Sequence, residues 1–564
     1  MAERPFFLAY SPNLPDQSML SLFKNGRFSF YPDQEPAGLL SNCSLWQTPS
    51  GDRLWLWGEA YGDFPGLSAK TYACEHAPLP AGNERAAVFA SAFFSAFRQN
   101  RAEALLRQTN GAFALALWDA QGRELHFFTD PAGFQRIYLY ASEHELAWSD
   151  RLRDFKVLPT SWSLDQAALN GFLQKGYLSG ETTWLQGVRL LKAAIHETFA
   201  WKDGRIERTA QKRYWQWPAP LPPDEAPDFD EAVEEAEYLL RGSVRRTLQA
   251  GKHCGILLSG GLDSRLILAM ALKEGFKPDG LTLGAAESKD LQTAAQVARL
   301  AGIAFKPAVL TPENWLQKHR QACLLTDGMV NVLHLHEAPF LPEWVSEYEL
   351  LIDGIAIEVV LGGLWHGHLD KQPLLTKLRG QALPKSFASD EAYYYNNTRI
   401  GFLMDRRIRH FTLIANQLLV HYTRRLMPFA DINFFRFMLQ LPDSYRKHYR
   451  LFFHLALRYY PAFFRDIPWA KTGLPISHPL TRPLLHLHWP GIRTLLFGTR
   501  DAIAPYDQWL RQEPAHSFIR NELQLSKSRL AAHIGSNPFG ESPKRAENLF
   551  RTLTAEWILR FFHL

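Results

Sequence analysis

The stretch Gly255-Ile256-Leu257-Leu258-Ser259-Gly260-Gly261-Leu262-Asp263-Ser264-Arg265 decides the fold. It opens on small and apolar residues, passes through Ser-Gly-Gly, and runs into Leu266-Ile267-Leu268-Ala269-Met270-Ala271-Leu272. That order predicts a buried strand, a tight glycine turn and a helix. Without Cβ atoms, the two glycines let the backbone approach a ligand closely. The N–H groups that open the helix, with the helix dipole behind them, favour an anion. Ser259 and Ser264 add hydroxyl donors. Asp263, a carboxylate beside a phosphate site, suits a divalent metal. Gly-Gly alone would mark no more than a turn; the full Ser-Gly-Gly-Leu-Asp-Ser string after an apolar run favours a nucleotide phosphate.

The string resembles the pyrophosphate loop of the ATP pyrophosphatases, which include asparagine, argininosuccinate and GMP synthetases. It is not a Walker A loop, which needs Gly-Lys-Ser/Thr. The resemblance implies that Leu258, Ser259, Gly260, Gly261, Leu262, Asp263 and Ser264 hold ATP. It also implies cleavage between the α- and β-phosphates, giving an acyl-adenylate and pyrophosphate.

With 564 residues, the chain is long enough for two or more cores. Hydrophobic residues make up 46% and charged residues 21%, an ordinary globular balance. A net charge of +5 over this length gives no argument for nucleic acid. Cys43, Cys74, Cys254 and Cys323 lie far apart with no CxxC pair, so reduced, buried thiols are expected in a cytoplasmic protein. No signal peptide is expected at the N-terminus. The sequence has no stretch of about 20 uninterrupted apolar residues, so no membrane span is expected.

Residues 1–205 read as short strands with few helices: 6–10, 27–31, 54–57, 113–118, 125–129, 137–140 and 145–149, with a helix at 86–99. Three runs stand out in order: Leu56-Trp57-Gly58-Glu59-Ala60-Tyr61, then Asn110-Gly111-Ala112-Phe113-Ala114-Leu115-Ala116-Leu117-Trp118-Asp119, then Thr129-Asp130-Pro131-Ala132-Gly133-Phe134-Gln135-Arg136-Ile137-Tyr138-Leu139-Tyr140. They resemble signatures of the glutamine amidotransferase domain of asparagine synthetases, which implies a type 2, Ntn-hydrolase-like αββα sandwich. Members that split glutamine begin Met-Cys-Gly-Ile and use that cysteine as nucleophile. Here the second residue is Ala2 and the nearest cysteine is Cys43. Trp57 stands where the glutamine-binding Asn would be, while Gly58 and Glu59 persist. Glutaminase activity is expected to be absent.

Residues 206–225, rich in proline between Trp217 and Pro223, read as a stiff linker. An amphipathic helix is expected at 229–250, capped by Asp228 or Asp230. Beyond the loop, a strand at 280–284 and a helix at 290–301 indicate βαβ units and a parallel sheet, whose ligands bind beyond the carboxyl ends of the strands. Residues 281–301 resemble the adenine side of asparagine synthetases, which places Leu283 among the nucleotide contacts.

A third strand, 350–352, leads into Asp353-Gly354-Ile355-Ala356-Ile357-Glu358-Val359-Val360-Leu361-Gly362-Gly363. This resembles the family's Ser-Gly-Glu-Gly-x-Asp-Glu-x-Phe-Gly-Gly segment. The resemblance puts Asp353 and Gly354 beside the nucleotide and Glu358 with Asp263 on Mg2+. The family's first Glu, a proton-handling group, falls on Ile355, which cannot take a proton. Asp327, Asp353, His334, His336, His366 and His368 are the replacements considered. Solvated or structural roles are the more common reading of any single histidine.

The C-terminal part, 395–564, reads as helix-rich. Met427-Pro428-Phe429-Ala430-Asp431 resembles a family element in which Asp431 caps a helix. Asp466-Ile467-Pro468-Trp469-Ala470-Lys471-Thr472-Gly473 resembles the segment with the family's catalytic lysine, which implies that Lys471 stabilises charge on the adenylate. Asp405-Arg406-Arg407-Ile408-Arg409 reads as a solvated basic helix face. Residues 481–564 read as a helical extension.

The expected fold is a two-domain α/β protein. It has an amidotransferase-like domain over 1–205 and an ATP pyrophosphatase domain (adenine nucleotide alpha hydrolase-like) over 226–480. The expected activity is that of an asparagine-synthetase-type ligase using ATP and Mg2+, with Lys471, Asp263 and Glu358 catalytic and asparagine formation the default. The alternative is a β-lactam synthetase or lasso-peptide cyclase type of reaction on a peptide or amino-acid derivative. A non-catalytic nucleotide-binding partner protein is the third reading. The expected reactants are a small-molecule or peptide carboxylate and an amine, with a precursor peptide or partner protein implied by the cyclase case.

Overall fold

The central strands of the N-terminal part are apolar on both faces, as in Leu54-Trp55-Leu56-Trp57, so both faces of their sheet can be buried. In a computed structural model of the chain, residues 9–10, 19–24, 27–32, 43–61, 84–355, 357–362, 401, 403–486, 503–522, 528–534 and 546–564 are described. They fall into two units. Unit 1 comprises Met1–Gln216, Arg409–Ile414 and Ile558–Leu564; unit 2 comprises Trp217–Ile408 and Ala415–Trp557.

Unit 1 contains β1 (Ala9–Tyr10), β2 (Met19–Lys24), β3 (Arg27–Pro32), β4 (Cys43–Gln47), β5 (Arg53–Gly58), α1 (Glu84–Arg98), α2 (Ala102–Leu106), β6 (Phe113–Asp119), β7 (Glu124–Thr129), β8 (Tyr138–Ala141), β9 (Glu145–Ser149), α3 (Gln166–Lys175), β10 (Val188–Leu190), β11 (Ile195–Lys202) and β12 (Arg205–Arg213). They build a seven-stranded sheet, β1-β4-β5-β6-β7-β11-β12, and a five-stranded sheet, β10-β8-β9-β2-β3. Trp55, Trp57, Phe127 and Trp148 from both sheets share one core. Trp148 meets Trp55 edge-on at 5.4 Å and Phe127 at 5.5 Å. The other face of the larger sheet is covered by α1, where Phe89 packs on Phe113 and Phe93 on Phe128. Two stacked sheets with a helix over the larger one are thus observed.

The Thr129-Asp130-Pro131 motif has a local cause. Buried Asp130 accepts hydrogen bonds from the backbone N–H groups of Ala132, Phe134, Gln135 and Phe113 and so fixes the turn into β8. Two expectations change. The first half of the expected 206–225 linker is strand β12, paired with β11. Its residues are polar and largely exposed, so it carries no alternation to betray it. The 405–409 run is not a solvated face: Asp405, Arg406 and Arg409 are buried. Arg409 donates to the carbonyls of Gly133 (2.8 Å) and Leu191.

Unit 2 contains α4 (Phe229–Leu248), β13 (Cys254–Leu257), α5 (Asp263–Lys273), β14 (Asp279–Ala285), α6 (Lys289–Ala301), β15 (Phe305–Leu310), α7 (His319–Leu325), β16 (Leu350–Ile352), α8 (Ile357–Leu361) and β17 (Arg424–Leu426), followed by short helices. The sheet order is β15-β14-β13-β16-β17, and every pair is parallel. The chain moves outward from β13 to β15, then returns to the other side of β13. The order therefore reverses between β13 and β16, and a crevice opens at their carboxyl ends. Asp228 and Glu231 form a capping box at the start of α4. Within α4, buried Glu237 accepts from Lys273 of α5 (2.8 Å), Arg241 (3.0 Å) and Tyr460 (2.6 Å), which anchors the loop helix α5. Asp431 caps the helix Ile432–Gln440 through the N–H groups of Asn433 and Phe434. Among the described residues, no helix is long and apolar enough to cross a membrane.

Trp148 fills the space between the sheets of unit 1. Trp148→Ala is expected to destabilise unit 1 by about 3–5 kcal/mol, read from the chemical denaturation midpoint. A change below about 1 kcal/mol would show that the inter-sheet core lies elsewhere.

Candidate active site

Strand β13 ends at the switch point, and residues 258–262 form the turn into α5. The turn is held by its own hydroxyls. Ser264 Oγ accepts from the N–H of Ser259 (3.0 Å), and Ser259 Oγ accepts from the N–H of Gly261 (3.2 Å). Thr282 donates from β14 to the Leu258 carbonyl (2.5 Å). Helix α5 starts at Asp263 with no side-chain cap. Its first-turn N–H groups are the orphan donors an anion can satisfy. Asp263 is half-buried in that first turn and Ser259 is exposed.

Gly260 is the point of closest contact. Its N–H donates to Asp290 Oδ1 of α6 (3.0 Å), and its carbonyl accepts from the Ala470 N–H (3.2 Å) and from Arg265 Nη2 (3.3 Å). A Cβ there would lie 2.7 Å from the Ala470 Cβ and 2.8 Å from Asp290 Oδ1, so only glycine fits. Burial pushes the Asp290 carboxyl above its ordinary range, although the Gly260 N–H opposes it.

Arg265 joins the loop to a distant segment. Its side chain is fully buried. Nη2 also donates to the Pro468 carbonyl (2.9 Å), and Nη1 donates to those of Ile467 (3.2 Å) and Phe463 (3.4 Å). Burial lowers the guanidinium to about 10, which still leaves it charged at neutral pH. The clamped segment turns at once: the Trp469 carbonyl accepts from the N–H groups of Thr472 (3.0 Å) and Gly473 (2.8 Å). Lys471 stands at that turn, adjacent to the residue bonded to Gly260. Its Nζ donates to Tyr449 Oη (3.2 Å) and lies 5.2 Å from the Trp469 ring centroid.

At the end of β16, Gly354 packs against the start of α5. A Cβ there would come within 3.0 Å of the Asp263 carbonyl carbon and the Ser264 nitrogen. Asp353 pairs with Arg425 Nε of β17 at 2.6 Å and accepts from the Ile355 N–H (3.0 Å). Its charge is thereby neutralised within the protein, and the Gly354 backbone is what meets the loop. Leu283 is half-buried in β14, and the next turn is held by the Ile503 carbonyl, which accepts from the Ala285 N–H (2.8 Å).

The structure therefore brings together the loop, Gly354 and the Lys471 segment, which lie far apart in the chain. Glu358 belongs to α8, but its side chain falls outside the described residues, as do Ala2, His366 and His368. Among the described residues, no group of three His, Cys, Asp or Glu could hold a metal. His334 pairs with Glu547 at 3.2 Å, and His336 Nδ1 lies 2.8 Å from Tyr506 Oη. Asp327 is buried just beyond α7 with φ +55°. Sequence reasoning missed Arg265, Asp290, Arg425 and Tyr449. For Asp290 a signal existed, because it opens the helix after the strand that flanks the loop.

The asparagine synthase family model matches residues 235–339, which include the loop, and a glutamine amidotransferase domain model matches residues 93–215. Over these two regions the chain is similar to the asparagine synthase and glutamine amidotransferase domains. It is 26% identical over 175 residues to a putative asparagine synthetase (glutamine-hydrolyzing) of Mycobacterium tuberculosis, covering 30% of this chain and 26% of that protein. It is 23% identical over 217 residues to asparagine synthetase (glutamine-hydrolyzing) 1 of Bacillus subtilis, covering 37% and 32%. The chain thus matches about a quarter to a third of the length of these curated relatives. Among solved structures, glutamine phosphoribosylpyrophosphate amidotransferase from B. subtilis gives a TM-score of 0.22 at 9% identity over 52% of this chain and 59% of that one, too slight a likeness to bear on the fold.

Because Arg265 links Gly260 to residues 463–468, Arg265→Met is expected to raise amide hydrogen exchange at Ala470 and Gly473 and to destabilise unit 2 by about 3 kcal/mol or more. Unchanged exchange at those amides would contradict the clamp.

Proposed function

We propose that this protein is an ATP-dependent amide ligase that activates a carboxylate as an acyl-adenylate, releases pyrophosphate and passes the acyl group to an amine. The observation that supports the reading is the Ala470 N–H to Gly260 carbonyl bond, which joins the backbone just before Lys471 to the loop that leads into α5. A phosphate chain laid on the loop would meet the N–H groups of α5, the Ser259 hydroxyl and a fixed ammonium. Positive groups aimed at developing negative charge are the main source of such catalysis.

The residues fit ATP: an uncapped helix start and exposed Ser259 supply donors for a phosphate. They also fit Mg2+, which takes one or two carboxylates together with substrate phosphates. Asp263 would hold it, with Glu358 the expected second ligand. When bound, the metal supplies charge neutralisation on the leaving pyrophosphate. The chain's own groups bind and orient. Ser259, Gly260 and Gly261 shape the loop, Arg265 fixes the lysine segment, and Lys471 carries the charge that stabilises the departing and attacking oxygens. Holding carboxylate and ATP in one crevice converts a bimolecular step into a local one.

Asparagine formation is the default assignment. A second reading, closure of an amide on another amine as in β-lactam synthetase or lasso-peptide cyclases, is favoured by Ile355, whose side chain has no proton to exchange. The reading also includes loss of glutaminase activity. Trp57 is fully buried in the core between the sheets, where an amide-binding Asn is expected. An assay for glutamine-dependent ammonia release should find none; release abolished by an alkylating inhibitor would reverse this part.

ATP–pyrophosphate exchange across a panel of carboxylates tests the reading. Asp263→Ala is expected to lower exchange by about 100-fold or more with an unchanged circular dichroism spectrum. Lys471→Ala should cut product formation by a similar factor, about 100-fold. Full activity in either variant would remove that residue from the mechanism.

A further inference from the structure

A lysine ammonium sits at the end of a flexible stem, and its charge assists a reaction most where the head group is already in place. Arg265 and Gly260 bond to the backbone of the lysine segment, at Pro468 and Ala470. The side chain of Lys471 is met by Tyr449, whose Oη accepts from Nζ at 3.2 Å. The Trp469 ring, 5.2 Å from Nζ, flanks the same ammonium. Lys471 itself is only half-buried.

Tyr449 is held on several sides. It is 1% exposed, its ring stacks on Phe453 (5.5 Å, 17° between planes), and it meets Trp469 edge-on at 5.3 Å. Its N–H donates to the Gly362 carbonyl at the end of α8 (3.0 Å). His448 and Tyr449 both lie in the left-handed region, with φ +57° and +62°. Two such residues in succession persist only where their surroundings hold them. The end of α8 does so: a Cβ on Gly362 would lie 2.0 Å from the Arg446 carbonyl oxygen, so only glycine lets this turn come so close.

The contacts close into a ring. Gly260 of the loop bonds to Ala470, and the next residue, Lys471, bonds to Tyr449. Tyr449 bonds to the end of α8, and Gly354, just before α8, packs back on Asp263 and Ser264. Resting on the ligase reading above, we infer that Tyr449 is the positioning residue of Lys471. Its hydroxyl fixes the ammonium where it acts on the nucleotide, and its backbone bond to Gly362 keeps that place in register with α8, the helix of Glu358. Packing on Phe453 and Trp469 would need the ring alone. The buried hydroxyl costs free energy unless it is bonded, and it is bonded to Lys471.

The test uses the full chain, ATP, Mg2+ and a panel of proteinogenic amino acids and Asp- or Glu-bearing peptides as carboxylates. For each carboxylate that supports ATP–pyrophosphate exchange, turnover is read as pyrophosphate release with hydroxylamine as the amine. Tyr449→Phe keeps the ring and the backbone bond and removes only the hydroxyl. Its kcat should fall by about 10-fold or more, while the KM for ATP changes by less than about threefold. In a Lys471→Ala background the same substitution should change kcat by less than about twofold, because the ammonium it serves is gone. Undiminished kcat, a loss confined to KM, or an equal loss in the Lys471→Ala background would overturn the Tyr449 assignment alone. No exchange with any carboxylate in the wild type overturns the ligase reading and this inference with it. If Tyr449→Phe does not fold, a wild-type crystal structure with Mg2+ and the α,β-methylene analogue of ATP decides. Nζ bonded to both Tyr449 Oη and a phosphate oxygen is the expected result; a broken Tyr449 bond, or phosphates out of reach of Nζ, overturns it.

Discussion

Arg265 spends its two Nη groups on neutral carbonyls: Gly260 in the loop on one side, and Phe463, Ile467 and Pro468 on the other. Taking a guanidinium out of water costs several kcal/mol, and among the described residues no carboxylate is bonded to it in compensation. The hydrogen bonds offset that cost only if both segments stay where they are. The geometry of the loop and that of the Lys471 turn are therefore one constraint. The buried positive charge also raises the potential beneath the loop, which favours a phosphate above it.

The parallel sheet supplies the other half of the site. Reversal of strand order beside β13 opens the crevice, and the short ends of β13 and β16 deliver the loop and Gly354 to the same place. The Asp353 charge there is settled internally by Arg425. Asp263 and Lys471 are the ionisable groups that the proposed reaction uses.

What could be read from the sequence followed physical locality. The 255–265 string is contiguous, so its strand, turn and helix were legible, and α4, α6 and β16 follow from apolar periodicity. The strands read in unit 1 also appear, with ends shifted by a few residues; of the one read at 6–10, only Ala9–Tyr10 lie among the described residues. Strands β2, β4, β10, β11, β15 and β17 were not anticipated; β17 is only Arg424–Leu426 and is defined by its neighbour, not by its composition. Strand β12 is a polar edge strand and resembles a linker until its partner is known. Arg265 follows the loop directly, yet its role depends on carbonyls nearly 200 or more residues away. Arg409 reads as part of a solvated face yet is buried, because burial is a property of the fold and not of the residue. The family resemblance supplied Lys471, and the hydrogen bond between Ala470 and Gly260 gives it a physical place.

The central claim is that the loop and the Lys471 turn act on one nucleotide. A crystal structure with Mg2+ and a non-hydrolysable α,β-methylene analogue of ATP tests it most directly. The account predicts phosphate oxygens within hydrogen-bond reach of the N–H groups opening α5 and of Lys471 Nζ, with Arg265 still bonded to Gly260 and Pro468. A nucleotide bound away from the switch point, or phosphates on the loop with Lys471 turned away from them, would contradict it.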